Sequence, residues 1–561
     1  MSVARRLAAV VGGLVALLAT ALLLAAPASA HATVVTSDPI DGSRLKAAPR
    51  SVTIVFDESV GIGGVGYLHV TDGNGRRVDG GEAFHPDGDS TKVTDTLRSG
   101  LGDSTYTASF RVVSADSHPV AGTIRFVVGT GPLARGNVTG TSADASTGDV
   151  FDVARWISFA GLALLGGAWI VFTVWPCGRD EPRARRLLWL GWGGATLGTA
   201  LEVLLQGPYT AGESPFGVGK IALLDSTLHS DYGLLHSLRL VLLGIVALVF
   251  ARSLADGVRP ARWEGVLALV AGALVWTFSA AGHAGTTAPK GISVPLDALH
   301  LLAMAAWIGA LVMVAGALLP RRDADEIRAV MPLVSRVAFA AVCTLAITGT
   351  YAAWRGIGTV DAILTTDYGR LVVAKVVLFF GLLALGNLSR TLVRRRTVAY
   401  ALDDTALAEA PVPADELVVE RLRRSVLVEA GIGVIVLALT AVLVAQPRGK
   451  ESLAAQYRRP VSATTSLGGG RSLAVTADPG THGTVNLTVD VAGGPSPSRL
   501  TATATQSAAQ IGPLPLLLTR ESDGVYDASI ALPVAGAWRI DLVVTTSAFD
   551  AVTADVTLHL H

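Results

Sequence analysis

Residues 294–319 read VPLDALHLLAMAAWIGALVMVAGALL. A helix needs about 20 apolar residues to cross ~30 Å of hydrocarbon. This run exceeds that, and Asp297 and His300 are its only ionisable residues. It predicts a membrane helix, and the surrounding chain repeats the pattern. Further apolar runs near 153–175, 186–206, 233–252, 264–282, 333–353, 369–389 and 425–445 bring the expected spans to eight. Half of the 561 residues are hydrophobic and 16% are charged. The mean hydropathy of +0.50 agrees with a chain lying largely in lipid. Basic residues gather in alternate loops: Arg179, Arg183, Arg185 and Arg186; Arg252, Arg259 and Arg262; Arg321, Arg322 and Arg328; Arg390, Arg394, Arg395 and Arg396. Loops of that kind face the cytoplasm, so both ends of the bundle are expected outside the cell membrane.

The flanks differ in character. Residues 1–30 read as a secretory signal: Arg5 and Arg6, an apolar run, then Ala28-Ser29-Ala30 as a small-x-small cleavage site. Residues 31–130 alternate apolar and polar, as in Val52, Ile54, Phe56 and in Tyr106, Ala108, Phe110, Val112, then Ile124, Phe126, Val128. Alternation between turn-rich stretches predicts an all-β sandwich. Residues 131–150 are rich in Gly, Ser, Thr and Asp and read as a flexible linker before the membrane domain, 151–447. Residues 465–561 alternate again (Val485, Leu487, Val489; Trp538, Ile540, Leu542) and predict a second β-sandwich. The formal charge is zero and offers nothing for nucleic acid. Two cysteines, neither in a segment expected outside, make no disulfide framework.

Cleavage after Ala30 would make His31 the first residue, presenting an α-amine and an imidazole together. Asp116-Ser117-His118 adds a carboxylate and a second imidazole. A nitrogen-rich set of this kind suits Cu(II). His85, in a polar loop, reads as a solvated histidine. Inside the membrane, ionisable residues are costly and point to function. Ser279, Gly282 and His283 end one span. Asp297, His300 and Met304, three and four residues apart, share one face of the next. His283, Asp297, His300 and Met304 form a candidate membrane metal site, with Cu(I) favoured by Met or Cys donors. Glu202 and Gln206 could add ligands or proton carriers. Lys375 and Glu429 read as a structural ion pair, and Cys343 could extend a relay from His300 and Met304.

Residues 31–130 resemble the copper-resistance CopC domain. The resemblance rests on His31-Ala32, Ser37-Asp38-Pro39, Phe56-Asp57-Glu58-Ser59-Val60 and above all Val112-Val113-Ser114-Ala115-Asp116-Ser117-His118-Pro119. It implies a Cu(II) histidine brace of His31, Asp116 and His118. The domain contains no Met, which leaves no Met-rich Cu(I) site. The membrane region resembles the CopD family through Gly282-His283, Asp297 with His300, Trp307 and Gly309, Thr366 to Leu371 with Lys375, and Glu429 with Pro447. The last domain is similar to the YtkA/FixH-type sandwich at Asp523-Gly524-Val525-Tyr526 and Trp538. Together these imply a non-enzymatic copper importer whose outer domain feeds the membrane domain. The alternative is a membrane-anchored chaperone that hands copper to an extracytoplasmic protein. No phosphate-loop motif is present to supply ATP drive.

Overall fold

A computed structural model describes residues 32–561, apart from 33, 63–65, 115–117, 130–137, 140–144, 256–260, 287–288, 403–412, 458, 495 and 548–549. The signal segment, His31 and Asp116 therefore lie outside the described residues, as does the side chain of His283.

The first domain is built from β1 (Val34–Asp38), β2 (Ser43–Leu45), β3 (Ser51–Phe56), β4 (Val60–Gly61), β5 (Tyr67–Thr71), β6 (Lys92–Thr96), β7 (Ser104–Ser114), β8 (Pro119–Val128) and β9 (Val138–Thr139). One sheet runs β1-β3-β6. The other runs β2-β8-β7-β4, with β5 also on β7 and β9 on β8. The alternating residues predicted to point inward do so: Val52, Ile54, Phe56, Tyr106, Ala108, Phe110, Val112, Ile124, Phe126 and Val128 are all buried. Each Val, Ile or Phe among them contributes about 1.5–3 kcal/mol of hydrophobic burial. Phe56 and Phe110 meet edge-on across the two sheets, ring centroids 5.7 Å apart.

The middle of the chain is helical: α1 (Ala145–Leu165), α2 (Pro182–Ala211), α3 (Asp231–Ala255), α4 (Ala261–Ala280), α5 (Lys290–Met313), α6 (Ala324–Ile357), α7 (Asp367–Leu402) and α8 (Pro413–Ala445). α1 begins ahead of the expected 153 and continues through a π-turn, Ile170–Val174. Seven spans among the described residues are long and apolar enough to cross a membrane, not the eight expected. The exception is the run expected at 264–282. Its helix stops at Ala280, and the chain turns at Gly282 into a short helix, His283–Thr286. The whole helix, Ala261–Ala280, rises about 30 Å at 1.5 Å per residue, and Gly265–Ala280 is the apolar part among the described residues. Small residues let the helices close up, as membrane helices require. A Cβ on Gly161 of α1 would stand 2.1 Å from the Ala195 backbone of α2, and one on Gly309 of α5 would stand 2.2 Å from the Gly167 nitrogen.

The last domain is a sandwich of a five-stranded and a four-stranded antiparallel sheet spanning Val461–Leu560. Trp538 sits fully buried at its centre, and its indole N–H donates to the Val534 carbonyl at 2.9 Å. The Asp523-Gly524 turn is present, with Gly524 at φ 80°.

Candidate functional site

The β7–β8 hairpin brings His118, part of the motif singled out in the sequence, against the helical bundle. Val113 pairs with Pro119, and the Ser114 backbone N–H and hydroxyl both donate to the His118 carbonyl, at 2.8 and 3.0 Å. Asp116 lies outside the described residues. Ala32, next to His31, is buried in the sandwich core, so the chain enters the domain beside that residue. The hairpin rests on α2. Arg111 of β7 donates to the Thr210 carbonyl at 3.0 Å, and the His118 ring meets the Tyr209 ring edge-on at 6.0 Å. Thr147 of α1 adds a 2.6 Å bond to the Glu213 carbonyl just past α2.

His118 is 4% exposed because it faces a cavity of about 50 Å³ shared with the bundle. That volume suits a few waters or one ion rather than an organic ligand. The floor is polar: Glu202 and Gln206 from α2, His236 and Arg239 from α3. All four are buried. Glu202 and Gln206, four apart on α2, were singled out from the sequence. His236, Arg239, Tyr232 and Arg155, which also line the cavity, were not, although an Arg and a His inside an apolar run were signal enough.

The hydrogen bonds settle where protons sit. His236 Nδ1 lies 2.8 Å from the Tyr232 carbonyl, which can only accept, so Nδ1 carries a hydrogen. His236 Nε2 lies 2.9 Å from Glu202 Oε2, and a proton must lie between them for the two to bond. Arg239 donates from Nη1 to the same oxygen at 3.2 Å. Its other nitrogens bond Thr277, and its guanidinium stacks 3.7 Å over the Phe278 ring. Glu202 Oε2 is therefore engaged by one fixed cation and one shared proton.

A second polar cluster lies behind the last turn of α4, whose Phe278, like Gly282 just beyond the helix, lines the cavity. Ser279, on the same turn, donates to the Val294 carbonyl of α5 at 2.9 Å, three residues before Asp297. Lys375 of α7 is the charged neighbour of both Asp297 and His300. Among the described residues Lys375 forms no ion pair with Glu429, and Asp297 is the carboxylate whose charge it senses. His300 Nδ1 lies 2.8 Å from the Thr348 hydroxyl, whose own hydrogen goes to the Thr344 carbonyl at 2.7 Å. The imidazole must then donate from Nδ1, leaving the Nε2 lone pair available. Met304 lies one turn on, within the apolar core of the bundle. Cys343 is exposed on the surface of α6, so it does not extend a relay inward. His283 opens the short helix after α4. His85 bonds the Lys92 carbonyl at 2.7 Å.

Family models match two parts of the chain. Residues 34–129 match the CopC domain family, and 328–443 match the family described as Copper resistance protein D. A copper transport protein of Bacillus subtilis (strain 168), CutJ, is 27% identical over 379 residues, covering 65% of this chain and 69% of its own. Among solved structures, CopC from Methylosinus trichosporium OB3b is 26% identical, covering 18% of this chain and 93% of its own, with a TM-score of 0.16. PcoC, a methionine-rich copper resistance protein from Escherichia coli, is 26% identical, covering 18% of this chain and all of its own, also at TM-score 0.16. This protein joins a CopC domain and a CopD membrane domain in one chain.

Proposed function

We propose that this chain carries copper across the cell membrane, inward, and that its outer domain captures Cu(II) and passes it to the membrane domain. His31, Asp116 and His118 would hold the ion as a histidine brace. The observation that carries the reading is the cavity that His118 shares with Glu202, Gln206 and His236. An ion leaving His118 has polar bundle residues as its next neighbours. Displacing the proton between His236 and Glu202 would free an imidazole lone pair and a carboxylate oxygen for it. Arg239, fixed on that same carboxylate, would keep the hold weak. A site on a conduction path must release what it binds.

Beyond the last turn of α4, Asp297 and the free Nε2 of His300 offer the next donors. Met304 supplies a softer one if the ion is reduced to Cu(I). His283 would stand at the start of this step. With α4 crossing as the eighth span, both β-sandwiches lie outside. The signal segment and the basic loops support that orientation. Nothing in this scheme makes the protein an enzyme. The C-terminal YtkA/FixH-like sandwich would serve packing or contact with an extracytoplasmic copper protein.

The test is copper content in cells producing the parent chain, His118→Ala or His300→Ala at matched membrane levels. Import predicts a rise with the parent and none with either variant. Unchanged copper with the parent would instead favour a chaperone anchored by its helices.

A further inference from the structure

The outer sandwich contains a second polar cluster, away from the His118 hairpin and unconnected with the transfer path. On β6, Val93 is fully buried in the core, and Asp95, two residues on, shares its face. A carboxylate thus points where the pattern calls for an apolar side chain. Asp95 is 1% exposed, and neither of its oxygens has a hydrogen bond of acceptable geometry. Ligand atoms of Asp95, Asp79 and His69 all lie within 4.8 Å of one another. The site forms where the segment after β5 bridges the two sheets: Thr71 pairs with Arg77, and Asp79 with Leu97 next to β6.

One cation already serves this cluster. Arg77 holds Asp79 through both guanidinium contacts and donates to His69 Nδ1 at 2.8 Å. A guanidinium has donors only, so His69 directs an Nδ1 lone pair into the cluster. Asp79 also accepts from the Val70 N–H at 3.0 Å. Two buried carboxylates face a single guanidinium, and Asp95 is left over. Burying a carboxylate without a partner is costly. The Arg77 side chain is 52% exposed, so it can swing into solvent.

We propose that His69, Asp79 and Asp95 form a second divalent-cation site in the outer domain, for a borderline ion such as Zn(II) or Cu(II), with the Arg77 guanidinium standing in the ion's place when it is absent. One imidazole and two carboxylates are a donor set that both ions accept. Bound ligands stand nearer than 4.8 Å to one another, so the carboxylates would rotate inward as Arg77 leaves.

The test is equilibrium dialysis of the full chain in detergent against Zn(II) alone, comparing the parent with Asp95→Asn, Arg77→Gln and His118→Ala. Asp95→Asn should lose one bound zinc per chain. Arg77→Gln should bind that zinc about tenfold more tightly, as a competing charge-assisted pair is removed. His118→Ala should keep it. Equal zinc binding by the parent and Asp95→Asn would overturn the proposal, and so would an unchanged or weakened affinity in Arg77→Gln. Should Asp95→Asn fail to fold, the direction of the Arg77→Gln shift decides.

Discussion

Two buried carboxylates in this molecule are treated in opposite ways. Glu202, in the bundle, is bound by His236 and Arg239, and Arg239 is itself fixed by Thr277 and Phe278. Asp95, in the outer sandwich, has no such partner. Lipid explains the first case. A polar group at membrane depth has no water to fall back on, so its partners must be built into the fold. The sandwich edge borders solvent, and a partner can arrive from outside. A pre-paired site suits an ion in transit, whereas an unpaired one suits an ion that stays.

Substitution should expose this difference, most strongly in the bundle. Arg239→Leu strips Glu202 of its fixed cation and should cost about 3–5 kcal/mol, as breaking a buried pair does. Thermal unfolding of the detergent-solubilised chain measures it. Glu202→Leu with Arg239→Leu should recover much of the loss, since no lone charge remains. A double variant no more stable than the single one would break the contrast.

Asp95→Asn should have the opposite sign and stabilise the metal-free outer domain by about 2 kcal/mol. Burial and the neighbouring Asp79 raise the Asp95 pKa above 3.8, so the folded state holds a proton that the unfolded chain has released. The penalty therefore grows as pH rises from 3.8 through the raised value and stays full above it. The gain from Asp95→Asn should be largest at neutral pH and vanish below 3.8. Asp79 opposes this trend. Despite its burial, the Arg77 and Val70 hydrogen bonds lower its pKa, so its contribution is present above 3.8 and is lost as pH falls through the lowered value. Melting curves across pH separate the two.

A smaller effect is expected at His300. Thr348→Val removes the acceptor for Nδ1–H and should cost about 1 kcal/mol. It should also let the ring take either tautomer, which NMR of labelled histidine would detect. Smallest is Arg111→Ala. Losing its bond to Thr210 should barely change stability, but amide exchange at the end of the β7–β8 hairpin should quicken.

Much of this was legible in the sequence, for identifiable reasons. Strand alternation marked the core of the first sandwich residue by residue, because side chains on a strand have only two directions. Helices were found from length and hydropathy. The end of α4 at Ala280 was not, because an apolar run over 264–282 does not say where the helix stops. In the site, Glu202 and Gln206 stood out as polar residues in an apolar span. His236 and Arg239 carry the same mark and were passed over, and what ties them to Glu202 is helix packing, which spacing along one chain cannot reveal. The same limit explains Lys375, which forms no ion pair with Glu429 among the described residues and has Asp297 as its charged neighbour. His69 and Asp95 meet only because the segment after β5 bridges two sheets.

The central claim is that copper passes from the His118 hairpin into the cavity floored by Glu202 and His236. Its most direct test is copper entry into vesicles holding the purified full chain, read by a copper-sensitive dye inside, for the parent and His236→Asn. Entry with the parent, and its loss in a folded His236→Asn protein that still binds Cu(II) outside, is the predicted result. Equal entry through both proteins would contradict the account.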